Sequence, residues 1–140
     1  MAKLSFPGLA DYERRLSRLM EGVPRIAGKA IYAGADLVAD EIRKGIDGLP
    51  QQTGVTKQGL EEGLGIAPMR DEGGYLNVKI GFDGYNARGI PNALMARVFE
   101  RGTSTVKKRP FVRLAVNRAK GPAEARMAGV LEEEMKKRMV

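Results

Sequence analysis

Between Val23 and Ile42, apolar and small residues recur every three or four positions, at Val23, Ile26, Ala27, Ala30, Ile31, Gly34, Leu37, Val38 and Ile42. That spacing returns to the same face of an α-helix turn after turn and fits no strand period. The middle of the face is slim, because Gly28, Ala30, Ala33, Gly34 and Ala35 project little or nothing, so another backbone is able to come close. Gly45 and Gly48 end the run. Any fold of this chain must therefore supply a mate for one long helix with a narrow contact stripe. Upstream, Leu9, Tyr12, Leu16, Leu19 and Met20 form a shorter helical pattern. Gly22-Val23-Pro24 separates the two, and Pro24 suits the first turn of the second helix.

After a polar, turn-rich loop at Leu49-Pro50-Gln51-Gln52-Thr53-Gly54, the period changes from helical to alternating. Leu64 and Ile66 share one parity, and Leu76, Val78, Ile80 and Phe82 share one against Tyr75, Asn77, Lys79 and Gly81. Asp71-Glu72-Gly73-Gly74 between them is hairpin chemistry, which predicts two antiparallel strands with one wet face. Asp83 to Gly89 reads as a loop. Asn92 is placed to cap a short helix carrying Leu94, Met95, Val98 and Phe99, which Gly102 ends. Thr103-Ser104-Thr105-Val106 reads as an extended arm. Pro110 opens a helix with Phe111, Leu114, Ala115, Arg118 and Ala119 along one side, and Gly121-Pro122 is expected to break or kink it. A last helix carries Met127, Leu131, Met135 and Met139 on one face.

The expected architecture is α+β: a small antiparallel sheet with a long N-terminal helix and a C-terminal helix packed on one side. At 140 residues, 43% hydrophobic and 29% charged, a single globular domain over 1–140 is expected. It divides into a helical part at 9–45, a hairpin at about 62–82, a short helix at 92–101, an arm at 103–108 and C-terminal helices at 110–138.

The charge is concentrated. Residues 97–120 hold eight Lys and Arg (Arg97, Arg101, Lys107, Lys108, Arg109, Arg113, Arg118, Lys120) against Glu100 alone, which equals the +7 of the whole chain. A basic face that local calls for an acidic counterpart: nucleic acid, a membrane or a complementary protein. A membrane span is not expected, since Ala30–Ala35 is far shorter than the roughly 20 residues needed. No leader is expected either, because Met1-Ala2-Lys3-Leu4-Ser5-Phe6 runs into Pro7 and then Glu13-Arg14-Arg15. The expected compartment is the cytosol.

The residue inventory argues against an enzyme. Histidine and cysteine are absent, which removes the common general base, nucleophile and metal ligands. Asp36, Asp40 and Glu41 lie close on one helix, where a solvated stripe is the simpler reading. Gly73-Gly74 and Gly81-x-x-Gly84 lack the strand–turn–helix context and Lys of a phosphate loop. No catalytic residue, cofactor or metal site is assigned. Nucleic-acid binding through Arg101, Lys107, Lys108, Arg109 and Arg113 is open, but no recognition motif accompanies them and Phe111, the one aromatic residue in the segment, makes no stacking platform. A solvated basic rim, or a surface matching an acidic protein, therefore stands slightly ahead of specific binding. An assembly subunit is the third possibility, favoured by the slim helix face, the Met stripe and the arm. Core contacts within one chain explain the first two equally well.

Glu100-Arg101-Gly102-Thr103, followed by Arg109-Pro110-Phe111 and then Ala115, resembles the small head–tail joining, or tail-completion, proteins of long-tailed phages and prophages. That family shows a hydrophobic helix running into Glu-x-Gly-Thr, a short arm, and Pro-Phe opening a C-terminal helix. It also has an earlier Pro-x-x-Thr-Gly loop, matched by Pro50-Gln51-Gln52-Thr53-Gly54. The resemblance runs from about Val23 to the C-terminus. The chain departs from the family pattern at Val55–Leu60, at Leu114 in place of a frequent proline, and at Gly121-Pro122. The resemblance implies a non-enzymatic virion protein, a ring of identical subunits at the neck or tail end, assembled in the host cytoplasm. Its partners would be further copies of itself and the neighbouring head-connector and tail proteins, with non-specific contact to packaged DNA. Glu100, Gly102, Thr103, Pro110 and Phe111 would be the assembly residues. The basic face would meet either the DNA channel or an acidic neighbouring ring.

Overall fold

The computed structural model describes residues 10–50, 54–73 and 75–139. Leu9 and the Gln51–Thr53 part of the Pro-x-x-Thr-Gly loop lie outside them. The fold is α+β: two long helices and two short ones around a small antiparallel hairpin.

Helix α1 spans Ala10–Asp47 without a break, so the interruption expected at Gly22-Val23-Pro24 does not occur. Pro24 removes one backbone donor, yet the apolar phase passes straight through it: Tyr12, Leu16, Leu19, Val23, Ile26 and Ala30 step by four or three throughout. A continuous stripe favours a continuous helix over the local cost of one proline. Helix α1 stops at Gly48, whose N–H still reaches the Lys44 carbonyl (3.2 Å), and Leu49 turns into the core.

Helix α2, Gly54–Gly63, was not expected. Its apolar content is thin and its glycines disfavour a helix, but those glycines are where the loop after the hairpin presses in. A Cβ at Gly59 would sit 2.8 Å from Asn86 Cβ, and one at Gly63 would sit 2.6 Å from Asn92 Nδ2. Leu60, fully buried, anchors the helix in the core.

The hairpin divides into β1 (Leu64–Ile66), β2 (Arg70–Glu72), β3 (Tyr75–Asn77) and β4 (Ile80–Phe82), four short strands where two were expected. The outer pair aligns Arg70 with Asn77 and Glu72 with Tyr75, the inner pair Leu64 with Phe82 and Ile66 with Ile80. Between the pairs, three residues (67–69) oppose two (78–79), a one-residue bulge around Pro68, which has no N–H to give the ladder. The displaced Met69 docks on α1: its N–H donates to Tyr32 Oη (2.6 Å), and its methyl group lies over Gly28. The opposite face carries the exposed Gly65–Gly81 pair, the wet side that the alternation implies.

Helix α3 spans Asn92–Arg101 and α4 spans Phe111–Met139. Asn92 is not the cap. Pro91 holds that position without a side-chain bond, while Asn92 is buried and its Nδ2 donates to the Asp83 carbonyl (2.9 Å). Helix α4 likewise runs through Gly121-Pro122 as one helix where two were expected. Pro122 is on the exposed side of the helix, away from the buried Ala115, Ala119 and Ala123, so its missing donor falls outside the packed face.

Helices α1 and α4 run antiparallel along their length. Gly45 lies against Phe111, Glu41 pairs with Arg118 (3.2 Å), Gly34 faces Met127 and Ala123, and Lys29 pairs with Glu134 (3.2 Å). The slim face of α1 is thus occupied within the chain. At the Gly45–Phe111 end the seam widens into the main core of Ile42, Ile46, Leu49, Leu60, Leu64, Phe99 and Phe111, with the Phe82 and Phe111 rings 6.0 Å apart.

Candidate functional site

The Glu-x-Gly-Thr and Pro-Phe motifs form one junction between α3 and α4. Gly102 ends α3 with its N–H on the Val98 carbonyl (2.8 Å), at φ 72° and ψ 169°. That is not the left-handed helical cap expected, but a more extended positive-φ conformation open essentially to glycine alone. A Cβ there would also stand 2.8 Å from the backbone nitrogen of Lys108.

The arm expected to be extended is instead a tight turn. Thr103 N–H donates to the Val106 carbonyl (2.8 Å), and Thr103 Oγ1 accepts from the N–H groups of Val106 (2.9 Å) and Thr105 (3.2 Å). A hydroxyl one position after the glycine closes the turn on itself, as Ser and Thr do locally. The chain then returns: Arg109 N–H donates to the Phe99 carbonyl (2.7 Å), and Pro110 leads into α4, its carbonyl accepting from Leu114 N–H (3.0 Å). Phe111 points into the core.

Glu100 closes the junction. Its carboxylate accepts from the backbone N–H groups of Val112 and Arg113, the first turn of α4. Those are donors that a helix leaves unpaired, at the end where the dipole favours negative charge. All five motif residues therefore have a definite place within the fold. Glu100 caps α4, Gly102 permits the close approach of Lys108, Thr103 ties the turn, Pro110 starts α4, and Phe111 anchors it.

This arrangement turns the segment's single acid inward and leaves its cations outside. Arg97, Arg101, Lys107, Lys108 and Arg113 are exposed, Arg109 is half-buried, and none of them makes an ion pair among the described residues. Arg118 differs, being paired with Glu41, whose carboxyl is held below its ordinary 4.5 by hydrogen bonds from Lys44 and Arg118. The basic triplet separates three depressions. One of about 490 Å³ is lined by Arg97, Glu100, Arg101, Lys108, Pro110 and Arg113. A second, of about 470 Å³, sets Arg88, Lys107 and Arg109 around Met95, Val98 and Phe99. A third, of about 390 Å³, runs from the triplet past Leu114 to Arg118.

Two contributors lie outside the basic face read from the sequence, Arg97 and Arg88. Arg97 belongs to the basic segment and is one helical turn from the expected site residue Arg101, but the inward turn of Glu100 that makes the two a cluster was not legible. Arg88 belongs to a loop remote in sequence, and only the fold brings it beside Lys107. Elsewhere, Asp40 pairs with Arg43 (2.7 Å), which accounts for it as a surface residue. Among the described residues there is no group of three or more acidic, His or Cys side chains placed to hold a metal ion, and no helix is long and apolar enough to cross a membrane. No protein-family model, curated protein or solved structure matches the chain.

Proposed function

We propose that this chain is a structural, non-enzymatic subunit of a phage neck, one that forms a ring and either joins head to tail or completes the tail. The motif resemblance supplies the class. The observation that carries the reading is the inward-turned Glu100, which leaves a firmly built junction presenting unneutralised cations. A surface so charged is stabilised by an acidic partner, and a junction tied at Phe99, Glu100, Thr103 and Phe111 holds it in register for one.

Electron microscopy of particles assembled with and without the protein tests this reading: its loss should leave full heads beside separate tails. Replacing Lys107, Lys108 and Arg109 with Glu lowers the charge of residues 97–120 from +7 to +1. The variant should fold, since the exposed Lys107 and Lys108 contribute within about 0.5 kcal/mol each and the half-buried Arg109 makes no ion pair among the described residues, yet fail to join. Normal particles in the protein's absence would overturn the assignment. A second reading, a basic module lining a DNA channel, draws on the depression between α3 and α4.

A further inference from the structure

We infer that the depression lined by Arg97, Arg101, Lys108 and Arg113 is a binding site for the phosphodiester backbone of duplex DNA. The inference names a partner for the basic face proposed above, and its test is independent of particle assembly. Three separate elements contribute: α3 supplies Arg97 and Arg101, the return from the turn supplies Lys108, and the first turn of α4 supplies Arg113. All four are exposed and without an ion pair among the described residues. Glu100 would oppose an anion if its carboxylate faced outward, but it is committed to the backbone N–H groups of Val112 and Arg113.

The lining decides between a nucleic acid and an acidic protein. Apart from the four cations and Glu100 it contains only Pro110. Arginine also serves at protein interfaces, but there it sits in packed, desolvated centres among aromatic and apolar anchors, which this depression lacks. Phosphate contact needs only cations, and guanidinium groups, three of the four here, match a phosphate with two parallel hydrogen bonds. With no base-reading or stacking element in the lining, binding should be indifferent to sequence.

The test is fluorescence anisotropy of the isolated protein with a labelled random-sequence duplex over a salt series. Four phosphate contacts give a slope of log affinity against log salt of about −3.6, and Arg101→Gln alone should reduce it by about 0.9. Replacing Arg97, Arg101, Lys108 and Arg113 together with Gln should weaken binding at least about 100-fold at low salt, following the same salt law. The control replaces Lys79, Arg126, Lys136 and Lys137 with Gln, removing equal charge elsewhere, and should keep most of the affinity; melting curves verify that both variants fold. Three results would overturn the inference: no duplex binding by the parent protein, an equal loss in the control, or an acidic peptide binding as tightly as the duplex at physiological salt. Absence of duplex binding defeats this inference even where heads still join tails. Normal particles without the protein defeat the neck assignment even where duplex binds.

Discussion

Along the α1–α4 seam, Ala30, Gly34, Ala35 and Ala39 of α1 and Ala115, Ala119 and Ala123 of α4 are buried, and a Cβ at Gly34 would stand 3.4 Å from the Ala123 carbonyl, so the two backbones approach with little side chain between them. At the α3–α4 junction, a dozen residues are instead held by named hydrogen bonds, one positive-φ glycine and one buried phenylalanine. The seam spreads its stabilisation over many small contacts, each buried methyl contributing about 0.8 kcal/mol. The junction concentrates its stabilisation in a few groups that cannot be exchanged. A region of the first kind should tolerate enlargement poorly at any of its positions, because the approach of the two backbones leaves no room for a longer side chain. The second kind should fail at particular atoms and be indifferent between them.

The sharpest way to break this contrast is Gly102→Val. It combines a conformation closed to β-branched residues with a Cβ 2.8 Å from the Lys108 nitrogen, and that neighbour is backbone and does not move cheaply. Urea denaturation should show a loss of about 2–4 kcal/mol. A midpoint equal to the parent's would mean that the turn rearranges freely and that the junction is not rigid.

Overfilling the seam comes next. Ala119→Leu at a position 1% exposed should cost about 1–3 kcal/mol by forcing the helices apart. Gly34→Ala is the subtler version. Alanine gains about 1 kcal/mol of helix propensity over glycine, but its methyl would lie 2.7 Å from Met127 Cγ. Methionine is an adaptable side chain, but the crowded atoms are Met127 Cγ and Sδ rather than its tip, and the Ala123 carbonyl stands 3.4 Å away, so the variant should lose stability overall but less than Ala119→Leu. A loss as large as that of Ala119→Leu would show Met127 to be fixed.

Glu100→Ala removes the cap of α4 and should cost about 1 kcal/mol, with Glu100→Gln losing less because an acceptor remains. If chemical denaturation places both variants at the parent's midpoint, the carboxylate does not stabilise α4.

The smallest effects concern pH. Glu41 is held below its ordinary 4.5 by Lys44 and Arg118, and Glu134 by Lys29 and Lys137. Both ties that cross the seam therefore stabilise the fold above pH 4.5 and fade as pH falls through the depressed native values. Thermal melts on either side of pH 4.5 should show Glu41→Gln and Glu134→Gln proteins losing less stability on acidification than the parent. Glu61 has the opposite sign. A hydrogen bond shared with Asp47 pushes its carboxyl up, so its contribution is present below 4.5 and lost as pH rises. Glu61→Gln should leave the fold unchanged or slightly firmer at neutral pH.

The two regions were also unequally legible. Periodicity showed the slim stripe of α1 and the parity of β4, because burial on one face imposes those patterns directly. On α4 it was right for Phe111, Ala115 and Ala119 and wrong for Leu114, Leu131 and Met135, which are exposed, because the close approach of α1 buries the alanines rather than the longer side chains. Gly102 and Pro110 marked the ends of α3 and the start of α4 for similarly local reasons. Local rules failed where tertiary contact outweighed them: helices α1 and α4 pass through Pro24 and Pro122 because the stripe on either side stays in phase. Helix α2 was invisible because Gly59 and Gly63 answer to Asn86 and Asn92 rather than to helix propensity. The cation cluster was half legible: its charges could be counted, but the direction in which Glu100 points is a property of the junction.

The ion pairs that tie α1 to α4 join residues far apart in the chain: Lys29 to Glu134 across 105 positions and Glu41 to Arg118 across 77. Most of the backbone must be drawn into a loop before either pair forms, whereas the hairpin closes over a few residues. The time course of refolding should reflect that order. The hairpin is able to form early, and the docking of α4 on α1 should set the rate, so that the chain folds more slowly than its helical content suggests. Until that docking, the Ala/Gly stripe of α1 has no mate, and it is then the part of the nascent protein most open to a wrong neighbour.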